Sequence, residues 1–196
     1  MQIDGSQQTT AFSRTRSNEL AKGYYPTDPR DVAHIAWALE PNYSWASRGQ
    51  VSTLTIFDPC AGEGGFLSAI KRRLVANLKK KKSSYSPPVA EIGTYAVELD
   101  QSRCDMIRGT QQKVCGSFFD MSVEGTFSIA LLNPPYNRHD GELLSWLQKV
   151  APSMTHSGIM VLIIPDYELH NPAMETYLDQ NYKFIQVFAS DRKSVV

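Results

Sequence analysis

The chain has 196 residues, 42% of them apolar, and its 20 basic groups balance 20 acidic ones. That is enough chain for one well-cored domain, and the zero net charge excludes the global basic field with which non-specific nucleic-acid binders neutralise phosphates. The longest apolar run, Ile159 to Ile164, is far too short to cross a bilayer, and the opening Met-Gln-Ile-Asp-Gly-Ser-Gln-Gln has no apolar signal core, so a soluble, cytoplasmic protein with no membrane partner is expected.

Three cysteines, Cys60, Cys104 and Cys115, lie far apart without a Cys-x-x-Cys pair, which points to reduced thiols and to neither a disulfide framework nor a zinc site. Residues 1–22, rich in Gln, Ser, Thr and Arg, read as a flexible arm whose Arg14 and Arg16 belong to a solvated tail. The texture changes at Gly23-Tyr24-Tyr25-Pro26-Thr27-Asp28-Pro29, and Asp28 followed by Pro29 fits a helix N-cap and first position. Val32, Ile35, Ala36 and Leu39 then share one face of a helix that Pro41 stops, with His34 off that face and at the surface or rim.

Ser52 to Phe57 alternates as a strand and runs into Asp58-Pro-Cys-Ala-Gly62-Glu-Gly64-Gly65, behind which Phe66, Leu67, Ile70, Leu74 and Leu78 keep helical spacing. Strand, glycine loop and helix form a nucleotide-type unit. The glycines permit positive φ and close approach of a ligand, and the helix start offers free N–H groups. Lys79 to Lys82 read as the solvated end of that helix. Ile92 to Val97 is a second strand, ending at Glu98-Leu-Asp100. A carboxylate there can accept both hydroxyl protons of a ribose, and Glu98 is the residue chosen for it.

A helix over about 101–111, a short strand over 113–116 and Ser117-Phe-Phe-Asp120 follow. Phe127 to Leu132 is a buried strand that stops abruptly at Asn133-Pro134-Pro135-Tyr136, a rigid loop suited to a flat, polar substrate. Beyond it the spacing predicts a helix over 141–150, a fifth strand over 158–164 buried on both faces, a helix over about 172–180 and a sixth strand over 182–189. No internal repeat is present. Strands alternating with helices at this density argue for an α/β fold, a doubly wound, mostly parallel sheet.

This combination closely resembles the class I S-adenosylmethionine-dependent methyltransferases that methylate the exocyclic N6 amine of adenine, over roughly residues 24–189. Asp58-Pro59-Cys60-Ala61-Gly62-x-Gly64 resembles that family's methionine-end loop, Glu98 its ribose-binding acid, and Asn133-Pro134-Pro135-Tyr136 its catalytic tetrapeptide. Tyr24 to Thr27 stands where such proteins place a segment closing over the cofactor. The resemblance thus implies a Rossmann-like fold, S-adenosyl-L-methionine as cofactor and a nucleic acid, DNA before RNA, as partner. It departs at the third motif: Ser117 occupies the place of the acid that takes the cofactor's adenine amine, with Phe118 as the neighbouring stacking ring and Asp120 as a compensating carboxylate three residues on.

In the chemistry so implied, the Asn133 side-chain oxygen and the Pro134 carbonyl accept the amine's N–H bonds, and Tyr136 stacks on the base. Orientation supplies most of the rest, on a scale of roughly 7 to 11 kcal/mol. No metal is required, and His139 and Asp140 are not needed as bases because the alkylated nitrogen loses its proton to water. Asp58 positions the loop and the methionine amino group, Cys60 packs a tight turn, and Trp37, Trp45 and Trp146 are packing residues.

The same tetrapeptide occurs in methyltransferases of the glutamine amide of release factors, which makes that the alternative enzyme. A non-catalytic S-adenosylmethionine-binding subunit, motivated by Ser117 and the neutral charge, is a third reading. No region supplies the final antiparallel strand of the fold unless Ser194-Val-Val196 begins it, and none resembles a target-recognition domain. A protein partner or a further region is expected to provide these.

Overall fold

The computed structural model of the protein describes residues 26–39, 52–80, 89–135 and 142–189, with backbone only for 52, 78–80, 89 and 90. The expected arm over 1–22 with Arg14 and Arg16, Tyr24, Pro41, Trp45, Lys81, Lys82, Tyr136, His139, Asp140 and Ser194 to Val196 lie outside the described residues. Helix α1 covers Pro29–Ala38, with the Asp28 carboxylate accepting from the Arg30 backbone N–H at 2.8 Å as the N-cap. There follow β1 (Ser52–Asp58), α2 (Gly65–Lys80), β2 (Val89–Glu98), α3 (Gln101–Met106), β3 (Gln112–Cys115) and a 3-10 turn (Phe118–Asp120). The remainder is β4 (Phe127–Leu132), α4 (Glu142–Val150), a second 3-10 turn (Ala151–Ser153), β5 (Met154–Leu162), α5 (Asp166–Leu169) and α6 (Pro172–Asn181).

The five strands form one all-parallel sheet in the order β3-β2-β1-β4-β5. Its register places Ile56 beside Ile129, Phe57 beside Ala130 and Glu98 beside Cys115. Because side chains alternate across a strand, consecutive residues feed two separate cores. Ile56, Ala96, Ile129 and Leu131 meet α1 and α2 through Val32, Ala36, Leu67, Ile70 and Leu74 on one face. Phe57, Val97, Ala130 and Leu132 meet α4 and α6 through Leu143, Trp146, Leu147 and Met174 on the other. Each fully buried Leu or Ile here contributes roughly 1.5–3 kcal/mol, which is what holds the layers together.

This is the doubly wound Rossmann-like architecture that the alternation of elements predicts. The strand order reverses between β1 and β4, so the crevice at their carboxyl ends is where a ligand belongs. Among the described residues, no helix is long and apolar enough to cross a membrane.

Five expectations are corrected. The helix after Glu98 ends at Met106 rather than near residue 111, because Ile107 turns extended (φ −61°, ψ 124°) and Gly109 takes φ +70°. Among the described residues β5 pairs with β4 alone and stands at the edge of the sheet, and it is not buried on both faces, Ile159 being 50% exposed. No strand forms over 182–189: those residues have no regular structure, and Phe184 is 86% exposed. A strand needs a neighbour for its N–H and C=O groups, and among the described residues none lies beyond β5. Cys104 and Cys115 are joined in a disulfide, their Cα atoms 5.7 Å apart, rather than being separate thiols. Parallel pairing of β2 with β3 brings residues distant in helix and strand together, which spacing alone does not reveal. Finally, Trp37 is exposed on α1, and only Trp146 of the described tryptophans packs in the core.

Candidate active site

At the carboxyl end of β1 the chain must turn at once into α2. Gly62 (φ +56°) and Gly64 (φ +80°) make that turn in a region L side chains rarely adopt. A Cβ at Gly64 would also meet the Ile107 side chain at 3.1 Å. The loop is tied down by the Ala61 N–H to the Val97 carbonyl at 2.9 Å and the Gly64 N–H to the Ala61 carbonyl at 2.8 Å. Asp58, 3% exposed at the loop's root, accepts the Cys60 backbone N–H at 3.1 Å. Burial pushes its carboxyl up to about 7, only partly opposed by its bonds from Cys60.

Glu98 at the end of β2 is almost as buried, and its carboxylate is fully oriented. One oxygen accepts the Gly62 N–H at 2.8 Å. The other accepts the Asp100 N–H at 2.9 Å and the Arg103 guanidinium at 3.0 and 2.8 Å. The ion pair draws on the first turn of α3, whose N-cap is Asp100. Leu99, next in the chain, is 73% exposed over the crevice.

Beyond β3, Ser117 caps the 3-10 turn, its hydroxyl oxygen accepting the Phe119 N–H at 3.2 Å. Phe118 lines the crevice but is buried, its ring 5.3 Å from Phe57 and 6.3 Å from Trp146. Phe119 is the more open ring, 42% exposed and edge-on to Trp146 at 4.8 Å. Asp120 does not line the crevice.

Asn133 follows β4 directly and is held from both sides of the crevice. The Ile163 N–H donates to the Leu132 carbonyl just before it at 2.8 Å. Cys60 stands between Asp58 and Asn133, the carboxylate raising the pKa of its thiol and the Asn133 backbone lowering it. The Asn133 side-chain Nδ2 donates to Thr27 Oγ1 at 3.1 Å. Burial and the neighbouring Asp58 push the Cys60 thiol well above its ordinary range, so it is a neutral hydrogen-bonding group and not a nucleophile. Pro134 is buried behind Asn133, and Pro135 faces the crevice.

These residues surround one cavity of about 610 Å³. That volume is within the range of small-molecule sites, roughly 300–1,000 Å³. Thr27, Asp58, Pro59, Cys60, Ala61 and Glu98 line one part, and Ser117, Phe118, Asn133 and Pro135 also open on it. Of the residues named from the sequence, Gly62, Gly64 and Pro134 do not line this cavity and Tyr24 and Tyr136 lie outside the described residues, whereas Leu99, Arg103 and Phe119 line it without having been named. Leu99 and Phe119 each sit beside a residue that was named, and an exposed apolar side chain flanking such a residue was the available signal. Nothing in the sequence pointed to Arg103.

A profile of the uncharacterised methyltransferase family DUF6094 matches residues 5–192. The chain belongs to that family. No curated protein matches it significantly. Among solved structures it is similar to a Listeria monocytogenes protein described as a class I S-adenosylmethionine-dependent methyltransferase (TM-score 0.56, 11% identity, 81% of this chain and 53% of that one). It is also similar to the type I restriction-modification methyltransferase subunit of Streptococcus thermophilus (TM-score 0.51, 15% identity, 81% of this chain and 38% of that one). The chain thus spans about half or less of these neighbours, and the likeness is one of fold.

A methyltransferase of this fold takes its methyl group from S-adenosylmethionine, which is the cofactor, and the site suits it chemically. Asp58 is a buried carboxylate whose ionisation calls for a nearby cation, as the cofactor's ammonium is. Glu98 is held rigid where a diol could donate to it. Leu99 and Phe119 offer apolar surface to a flat ring.

Proposed function

We propose that this methyltransferase methylates the exocyclic N6 amine of adenine in nucleic acid, DNA before RNA. The observation that carries the reading is the setting of Asn133: a carboxamide opening on the same cavity as Cys60 of the methionine-end loop, its nitrogen bonded to Thr27. When bound, S-adenosylmethionine supplies an electrophilic methyl group on a sulfonium. The residues of the chain do the rest by placement.

An adenine amine is a poor nucleophile because its lone pair is delocalised into the ring. With Asn133 Oδ1 and the Pro134 carbonyl accepting its two N–H bonds, the nitrogen is drawn toward a tetrahedral form as positive charge develops. Pro134 and Pro135 keep those acceptors in one direction, since proline fixes its own φ and restrains the residue before it. Tyr136 stacks on the base, which reaches the site from a single strand or flipped from a duplex. On the cofactor side, Asp58 takes the ammonium and Glu98 the ribose diol. Leu99 and Phe119 flank the adenine ring, and the Ser117 hydroxyl receives its amine in place of the usual acid. Tyr24 to Thr27 closes over the methionine end. The restriction-modification subunit among the fold neighbours is consistent with a DNA substrate, and target recognition falls to a partner or a further region.

The test is incubation with labelled S-adenosylmethionine and, in parallel, single-stranded DNA, duplex DNA, RNA and a release factor, followed by mass spectrometry of the nucleosides. N6-methyladenine is expected, and Asn133→Ala should abolish it while leaving cofactor affinity within about threefold. Label in protein alone would transfer the mechanism to a glutamine amide. Cofactor binding without transfer to anything would make the chain a binding subunit.

A further inference from the structure

From the lining of the cavity we infer that Arg72 and Arg73 form a phosphate-binding site for the substrate strand, holding the phosphates beside the target base. This rests on the reading of the substrate as a nucleic acid. The cavity does not stop at the cofactor loop. It continues between the start of α1 and one side of α2, where Pro26, Pro29, Val32, Phe66 and Ala69 line it and Arg72 and Arg73 complete the row. Phe66, Ala69 and Arg73 are spaced three and four residues apart, so they lie one above another on the side of α2 that meets this groove. Arg73 stands about two turns, or roughly 10 Å, beyond Phe66.

Charge sets this groove apart from the rest of the cavity. Asp58 and Glu98 line the cofactor part, and Glu98 is already met by Arg103 at 2.8 Å. Among the described residues no carboxylate lines the part between α1 and α2, and both arginines there are exposed. The other described arginines are each engaged: Arg30 by Asp28 at 3.1 Å, Arg103 by Glu98, and Arg108 by the Ile107 carbonyl at 3.0 Å. Arg72 and Arg73 make no such bond to a described residue. On a chain of zero net charge they are a local cation site, and guanidinium is the side-chain group that takes phosphate through paired N–H bonds. A base does not arrive alone. Each nucleotide carries a phosphate, so a base seated at Asn133 brings charge on either side of it, and the strand must leave the crevice along some wall. The Asn133–Thr27 bond at 3.1 Å sets the start of α1 against that seat, so the groove begins beside the base and ends at the two cations. Its apolar floor suits the sugar and the neighbouring base. A glutamine side chain brings no charge of its own, which is why the pair favours a strand over a protein. Phosphate contacts fix register and affinity and carry no sequence information.

The test uses the whole chain saturated with S-adenosylhomocysteine and a fluorescent single-stranded DNA containing adenine. Its affinity is followed by anisotropy as salt is raised from about 50 to 200 mM. In Arg72→Gln/Arg73→Gln, affinity at the lowest salt should fall about tenfold or more, and the slope of log K against log salt should flatten by about 1.4, two contacts at about 0.7 each. Arg72→Lys/Arg73→Lys should recover most of both. Lys183→Gln, which removes a cation outside the cavity, should leave the slope as it is in the parent. Affinity for S-adenosylhomocysteine, by calorimetry, should stay within about threefold in every variant. A slope that the double change does not move, or that Lys183→Gln lowers as much per charge, would overturn the inference. So would an equal loss of S-adenosylhomocysteine affinity, which would make the pair a site for the cofactor's carboxylate.

A second measurement needs neither base nor methyl transfer. A labelled abasic oligonucleotide, a strand of sugar and phosphate alone, should bind the parent and bind Arg72→Gln/Arg73→Gln about tenfold or more weakly. If it does so while no nucleic acid is methylated, the phosphate site stands and the adenine reading falls. If N6-methyladenine forms but the abasic strand binds both proteins alike, the adenine reading stands and the phosphate site falls. An acidic peptide that the parent prefers to either strand, and that the double change releases, would give the groove to a protein substrate and overturn the inference.

Discussion

Asp58→Asn should stabilise the cofactor-free protein while weakening its hold on the cofactor. Asp58 is 3% exposed, and its carboxyl is pushed from 3.8 to about 7, chiefly by burial. The folded state therefore keeps this proton up to about pH 7, whereas the unfolded chain releases it near 3.8. Between those values the folded state is the more protonated, so stability falls as pH rises through the window and levels off above about 7. A shift of about three pH units corresponds to about 4 kcal/mol at pH 8. For a chain of this length that is a melting-temperature difference of roughly 8–16 °C. Asparagine has nearly the same shape and can still accept the Cys60 N–H, so the variant removes the charge with little change in packing. Thermal unfolding of both proteins from pH 4 to 8 measures the effect. The variant's advantage should be small at pH 4, grow toward pH 7 and then stop growing. Titration with S-adenosylhomocysteine should show weaker binding by the variant, and parent affinity that falls as the pH is lowered below about 7. A stability difference that does not change with pH would refute the reasoning, because Asp58 would then ionise without cost and would have no need of the cofactor's ammonium.

Three other changes separate structure from site. Cys115→Ser should lose roughly 3 kcal/mol of stability from a cross-link of sequence separation 11, measured by denaturant unfolding without reductant; reductant should bring the parent down to the variant's level. Phe118→Ala should cost about 3–5 kcal/mol because that ring is core, and the same unfolding experiment checks it. Phe119→Ala should leave stability nearly unchanged but weaken S-adenosylhomocysteine binding by about fivefold to a hundredfold, in line with the roughly 1–3 kcal/mol of a base stacked on an aromatic ring. The opposite ranking of the two phenylalanines in calorimetry would return the stacking role to Phe118.

What the sequence disclosed of the fold was whatever depends on near neighbours. Asp28 and Pro29 marked the start of α1 because capping is a two-residue event, and Ile70 and Leu74 marked α2 because helical faces repeat every few positions. The failures are positions whose state is decided elsewhere in space. Ile159 to Ile164 is as apolar as a central strand, yet β5 lies at the edge, and composition does not record how many neighbours a strand has. Phe184 to Phe188 has the composition of a strand, but a strand exists only where a partner offers its hydrogen bonds. The Cys104–Cys115 bond was hidden for the same reason, since it depends on α3 packing beside β3.

The candidate site was more legible than the sheet's edges because a parallel doubly wound sheet delivers every strand's carboxyl end to one crevice. Once β1, β2 and β4 are recognised, Asp58, Glu98 and Asn133 must approach one another, and they line the same cavity. What could not be read is how those groups are held. The Arg103 guanidinium that fixes Glu98 comes from the next helix, and the thiol lying near both Asp58 and Asn133 belongs to a cysteine whose sequence context suggested only a tight turn. Thr27 is the clearest case. Its place before Asp28 suggested a segment folding toward the cofactor, while its contact is with a carboxamide 106 residues away. Motifs name the atoms that meet a ligand, because ligand chemistry restricts residue type. Supporting atoms need only a donor or an acceptor in the right place, which many residue types can supply, so they leave no pattern in the sequence.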